Sequence, residues 1–241
     1  MFWLIRFAFK LTWRLALIAL AGVAGFAVGM YRQLSREQQT WGVDTAEVER
    51  ELLGDDIVED PVVVETRGVD IDAPPEAVWP WLVQMGYGRA GWYSFDQIDM
   101  DGKSAEVILD EFQELAEGDR VPTHPGGGFE VRTLRPNQAL VLYLDTELVN
   151  ATDEAESTPV GLQGAGAVGE AAMSEFRATW AFILEPAPGE RTRLIERMRL
   201  WADDSGRPQR LAMPFMGLGV FVMTRKHMLG LKERAGRASK G

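Results

Sequence analysis

Pro61–Asp96 reads PVVVETRGVDIDAPPEAVWPWLVQMGYGRAGWYSFD, and it describes a strand passing into a helix. Val62, Val63 and Val64, then Val69 and Ile71 around polar Asp70, are β-branched residues suited to a half-buried pleated surface. Asp72 suits a helix N-cap, Pro74 or Pro75 a first helical position, and Glu76 the positive end of the helix dipole. Ala77, Val78, Trp81, Leu82 and Met85 recur at helical spacing. Pro80 lacks the amide for an interior hydrogen bond, so the helix is expected to be kinked or split before Gly86 and Gly88 end it.

Working outward, 241 residues leave room for one sizeable core plus appendages. With no cysteine, disulfides and thiolate metal sites are excluded. The net charge of −11 is unevenly spread: residues 1–36 hold five basic side chains and no acidic one, which leaves 20 basic against 36 acidic in the rest. Such a surface repels phosphate backbones, so no nucleic-acid partner is expected.

Leu15 to Tyr31 carries no charge and reaches about 25 Å as a helix, the short end of a membrane span. Trp3, Phe7, Phe9 and Trp13 interleave with Arg6 and Lys10, a mix suited to the headgroup layer. We read residues 1–32 as a membrane anchor, against a cleaved signal peptide or a buried helix. Arg6, Lys10 and Arg14 outnumber Arg32 and Arg36, which favours a cytoplasmic N-terminus. Residues 33–60 are polar and acidic and read as a tether with one short amphipathic helix.

Residues 61–238 form the domain. Beyond the first helix, Glu106 to Leu115 suits a short helix, Arg120–Pro122 an edge strand, Phe129–Thr133 and Ala139–Asp145 two strands. Residues 150–172 offer few large apolar side chains and read as a mobile insertion. From Ser174 two long alternating strands meet at a turn over Pro186–Glu190. Leu211 to Arg237 is a helix, apolar first and basic last, with Pro214 marking its expected start.

This order, together with Ile71–Trp79 (IDAPPEAVW), Trp180–Pro186 (WAFILEP), Arg191–Leu194 (RTRL) and Lys226–Ala235 (KHMLGLKERA), resembles the START-like, polyketide-cyclase-like helix-grip superfamily over about Val62 to Ala235. The resemblance implies an α+β fold in which an antiparallel sheet curls around the C-terminal helix, leaving an apolar tunnel. It implies no universal catalytic residue, since members cyclise polyketides, carry lipids or hormones, or have no assigned role.

Several local patterns compete with plainer readings. Gly164, Gly166 and Gly169 spell a dinucleotide fingerprint, but no buried strand precedes them, so flexible chain is the better reading and no cofactor is expected. Asp99 to Gly102 lacks the first and last carboxylates of a calcium loop, and two histidines are too few for a His-rich zinc site; no metal is expected. His227, at the basic end of a helix, reads as solvated or as facing the helix dipole. In the strand after Arg191, Arg197 and Arg199 share one face and Glu196 and Met198 the other; the plain reading is a solvated face with cross-strand ion pairs.

The sequence thus points to a tethered domain binding a hydrophobic small molecule or lipid. Tyr93 (near an entrance), Trp180, Met198, Met213, Met216 and Gly217 are the candidate ligand contacts. A cyclase or dehydratase using Glu196, Asp96 or His124 for proton transfer, and a ligand-free interaction scaffold, are the alternatives.

Overall fold

Among the described residues six antiparallel strands form one sheet: β1 (Val63–Ile71), β2 (Arg120–His124), β3 (Gly127–Arg135), β4 (Ala139–Asp145), β5 (Phe176–Ala187) and β6 (Arg191–Ala202), in the spatial order β1-β6-β5-β4-β3-β2. The α-helices that accompany them are α1 (Thr45–Glu49), α2 (Pro75–Val83), α3 (Asp96–Asp99), α4 (Thr146–Asn150) and the 32-residue α5 (Arg207–Ala238). The computed structural model describes residues 35–99, 102–124, 127–150, 175–203 and 207–239 with a few isolated positions before them, and only the backbone of 99, 150 and 207–216. The chain divides into units 1–38 and 39–241, and every element named above lies in the second.

One face of the sheet is apolar because alternation brings Val69, Ile71, Leu140, Leu142, Phe182, Leu184 and Leu194 to the same side, where they meet Met228, Leu231 and Ala235 of α5 and Trp81, Leu82 and Met85 from the α2 region. An antiparallel sheet packed on a long C-terminal helix fits a helix-grip fold. The β5–β6 hairpin is in register over its whole length, from Ala187 opposite Arg191 to Phe176 opposite Ala202.

Some boundaries differ from the sequence reading. The cap residue of α2 is Pro74 rather than Asp72, and the helix runs through Pro80 unsplit, forgoing only the one bond that this position would make to the Glu76 carbonyl. Glu106–Leu115 folds only into a single 3-10 turn at Asp110–Phe112. α5 begins at Arg207 and passes Pro214, with Pro208 in its first turn, where a missing N–H costs nothing. Gly230 is buried where α5 crosses the Tyr93 backbone; a β-carbon there would collide with the Tyr93 carbonyl.

The largest correction concerns residues 39–60, which are not a solvated tether. The Gly68 N–H on edge strand β1 donates to the Trp41 carbonyl, so the chain covers the edge before crossing the outer face. α1 is held by a capping box between Asp44 and Glu47, and Glu47 also takes a two-pronged ion pair from Arg193, both bonds 2.8 Å. Arg197 Nε donates to Thr66 Oγ1, its Nη1 to Arg50 O and Asp55 Oδ2, and its Nη2 to Glu47 O and Val48 O, all at 2.6–3.0 Å. Leu52 and Val58 are buried in consequence.

Among the described residues no helix is long and apolar enough to cross a membrane. The candidate span Leu15–Tyr31 falls almost wholly outside them, as does the Ala151–Ala172 part of the proposed insertion.

Candidate functional site

The inner face of the sheet carries three charged side chains where its apolar alternation predicts none. Extending the Ile71, Val69 parity backwards along β1 reaches Arg67 and Glu65, and register sets Arg67 opposite Glu196 and Glu65 opposite Met198 on β6. Arg67 is 0 % exposed and Glu196 1 %. Arg67 Nη2 pairs with Glu65 Oε2, and its Nη1 lies 3.5 Å from Glu196 Oε1. Phe221 of α5 covers the guanidinium, 5.6 Å from ring centre to Cζ. Opposite charge holds this buried triad together; removing the arginine would leave two carboxyl groups in the core without their counter-charge, at a cost of about 3–5 kcal/mol.

Glu196 has a second partner in Trp180, whose indole Nε1 donates to Oε1 at 2.8 Å. Its other oxygen, Oε2, is buried without a hydrogen bond. Burial pushes the carboxyl up to about 7, opposed by the Arg67 charge and the indole N–H.

His227 projects from α5 into an aromatic cage. Its ring centre lies 5.8 Å from that of Trp180, 5.7 Å from Phe182, 6.2 Å from Trp92 and 6.3 Å from Tyr93, the last nearly parallel. His227 is 2 % exposed; Nδ1 sits 2.5 Å from the Trp92 carbonyl oxygen and Nε2 is buried without a partner. Two lone pairs facing each other at that distance would repel, so Nδ1 carries a proton and donates to Trp92 O. Burial lowers the ring to about 4, which leaves it neutral with a bare acceptor at Nε2. Trp81 Nε1 and Arg89 Nε are also buried without partners.

Tyr93, expected at an entrance, instead belongs to the core. It is 1 % exposed, its hydroxyl donates to Trp81 O and accepts from Gln84 Nε2, and its ring lies between His227 and the Arg234 guanidinium. Its φ of 54° is unusual for a bulky residue and is held by its N–H bonding Ser104 Oγ. With its hydroxyl already engaged, it has no spare donor for a headgroup.

Trp180 and Met198 lie opposite each other on the inner face, both half-buried. Gly217 is half-buried on α5, while the side chains of Met213 and Met216 fall outside the described residues. Of the candidate proton-transfer groups only Glu196 is in this cluster. Asp96 accepts from Ser104 Oγ at 2.6 Å, and His124 leans on Thr123 Oγ1 in β2. A surface cleft of about 190 Å3 is lined by Asp72, Lys232, Glu233, Gly236 and Arg237, none of them in the cluster; its exposed charges make it a groove rather than a site. Among the described residues no group of three His, Cys, Asp or Glu side chains comes together to hold a metal.

Sequence reasoning missed His227 and Arg67. The signal for His227 was helical spacing: Thr224, Met228, Leu231 and Ala235 are buried on the same stripe of α5. Arg67 needed only the β1 alternation carried two residues further back.

No family model matches the chain and no curated protein matches it. Among solved structures it is similar to protein MLL2253 from Mesorhizobium loti, at 20 % identity over 72 % of this chain and 98 % of that one with a TM-score of 0.36. A conserved protein from Geobacillus kaustophilus gives 12 %, 73 % and 97 %, with a TM-score of 0.38. CalU16 from Micromonospora echinospora gives 12 %, 73 % and 85 %, with a TM-score of 0.30. At these scores the likenesses carry no argument about activity, and the fold assignment rests on this chain's own strand order and helix.

Proposed function

We propose that this is a START-like domain that binds a hydrophobic small molecule or lipid between the inner face of its sheet and α5, with Glu196 and His227 meeting the ligand's polar group. The observation that carries the reading is the pair of bare acceptors, Glu196 Oε2 and His227 Nε2, both buried and both bordered by Trp180. Each such atom costs about 1–3 kcal/mol unless something bonds it. A ligand that supplies the missing bonds removes that cost, and the surrounding Trp92, Trp180 and Phe182 give its apolar part a wall.

The apolar run before Met223 supports an entrance from that side. Leu218 and Val222 are exposed on α5, Phe95 and Ile98 are exposed just before and within α3, and Ser94 Oγ donates to Met223 O to join this segment to α5. An exposed apolar rim suits a ligand that arrives from a lipid phase. The charge-free stretch Leu15–Tyr31 supports anchoring through residues 1–32 with a cytoplasmic N-terminus. Alkaline carbonate should then leave the full-length chain in the membrane fraction, and its release would remove the anchor from this reading.

The binding experiment uses an uncharged environment-sensitive dye and the full-length chain. Saturable enhancement, lost in Met198→Trp, which fills the inner face beside Trp180, supports the site. Enhancement that Met198→Trp leaves unchanged puts the dye elsewhere. An acid–base enzyme is a second reading, favoured by the Glu196 carboxyl held near 7, where it can both give and take a proton. A ligand converted on incubation, and recovered intact from Glu196→Gln, would select it.

A further inference from the structure

The chemistry of the bare atoms says what kind of polar group the ligand carries. We propose that the ligand's polar end is a hydrogen-bond donor, an alcohol or an amine, and that the site excludes carboxylates. This rests on the ligand-binding reading above.

Three features lead there. His227 Nε2 is an acceptor, because Nδ1 spends the ring's one proton on Trp92 O at 2.5 Å. Glu196 Oε2 is the unpaired oxygen of a carboxyl whose Oε1 already takes the Trp180 indole and faces Arg67, and above pH 7, with the proton off, it is an acceptor. The Trp180 indole is thus committed to the other oxygen, and the Arg67 guanidinium faces that oxygen as an ion pair. A ligand hydroxyl or amino group supplies what both atoms lack.

Charge points the same way. Glu65, Arg67 and Glu196 are all buried, and the single guanidinium is shared between two carboxyl groups. A fatty-acid anion would bring a third carboxylate to one arginine in a medium that screens poorly, and would set its lone pairs against those of Oε2 and Nε2. Binding sites for anions commit their arginines to the ligand; here Arg67 is already engaged on both sides.

The test reads Nε2 directly. The chain has two histidines, so the full-length protein labelled with ring-15N histidine gives two imidazoles, and His124→Gln identifies His227. In the free protein at pH 8 the His227 ring should be neutral, protonated on Nδ1 and bare on Nε2. Decanol or decylamine should move the Nε2 resonance saturably, and decanoate should need at least about tenfold more ligand, about 1.4 kcal/mol. Glu196→Gln, which removes the negative charge at similar size, should narrow that gap. The tighter of the two donor probes identifies an uncharged or a cationic headgroup.

Decanoate moving Nε2 at the same concentration as decanol would overturn the donor assignment while leaving ligand binding intact, as would a proton found on Nε2. Silence with all three probes would overturn the ligand-binding reading and this inference with it.

Discussion

Glu196 and His227 are buried beside the same indole, and burial pushes them in opposite senses: the carboxyl up to about 7, the imidazole down to about 4. For Glu196 the folded state binds the proton more tightly than the unfolded chain does. Its contribution to stability is therefore full below about 4.5 and is lost as pH rises through 7. For His227 the unfolded chain binds the proton more tightly, so its contribution is full above about 6.5 and is lost as pH falls towards 4. The two largely cancel between about 4.5 and 6.5. Single variants should expose them in urea titrations across this range. Relative to His227→Phe, the wild type should gain stability as pH rises from 4 to 6.5, by up to about 3 kcal/mol; relative to Glu196→Gln it should lose a similar amount from 4.5 to 7. Parallel profiles for all three proteins would show that neither group titrates in the folded interior as described.

At the scale of elements, the covering of the outer face by residues 39–60 depends on arginines from β6. Arg197 is buried and uses its guanidinium and Nε to reach carbonyls at the end of α1, Asp55 and Thr66, while Arg193 holds Glu47. Lysine cannot reproduce such a planar set of donors. Arg197→Lys should destabilise the domain by about 2–4 kcal/mol, because carbonyls and Asp55 lose partners they cannot replace. Hydrogen exchange should rise over residues 44–58 while β4 and β5 stay protected; unchanged protection at 44–58 would show that the segment is held by something else.

The strands themselves were legible because their apolar alternation is strong: Ala139–Asp145 matches β4 end to end, and the β5–β6 pairing follows the alternation of Phe176 to Leu184 and Thr192 to Leu200. The cover was not legible. Residues 39–60 have little to bury, and what fixes them is polar: Arg193, Arg197 and Arg199 on one face of β6 meeting Glu47 and Asp55 more than a hundred residues earlier. Complementary charge on distant segments gives no periodic signal. The site was half legible for a related reason. Strand parity sets Glu196 and Met198 on one face, but the plain reading of that strand as solvated ion pairs misses the burial of Glu196, and His227 hides in a helical stretch whose Lys226, Lys232 and Arg234 suggest a solvated face.

For the whole molecule, the covered outer face leaves the inner face as the place where the sheet has unmet chemistry. Its apolar residues toward β3 and β4 are packed, while its β1–β6 end holds the Glu65, Arg67, Glu196 triad with Trp180 and His227 nearby. A fold held only for its own stability would be better served by apolar residues of similar volume at these positions. The chain keeps charged and bare polar groups in its interior, which is the pattern expected of a domain that folds around something it binds. The most direct measurement is to purify the full-length chain from its own host, extract it with organic solvent, and compare the extract by mass spectrometry with that of Met198→Trp prepared alongside. The account predicts a hydrophobic molecule with a hydroxyl or amino group, close to one per chain in the wild type and depleted in the variant. Matching extracts from the two proteins, with no bound molecule in either, would contradict it.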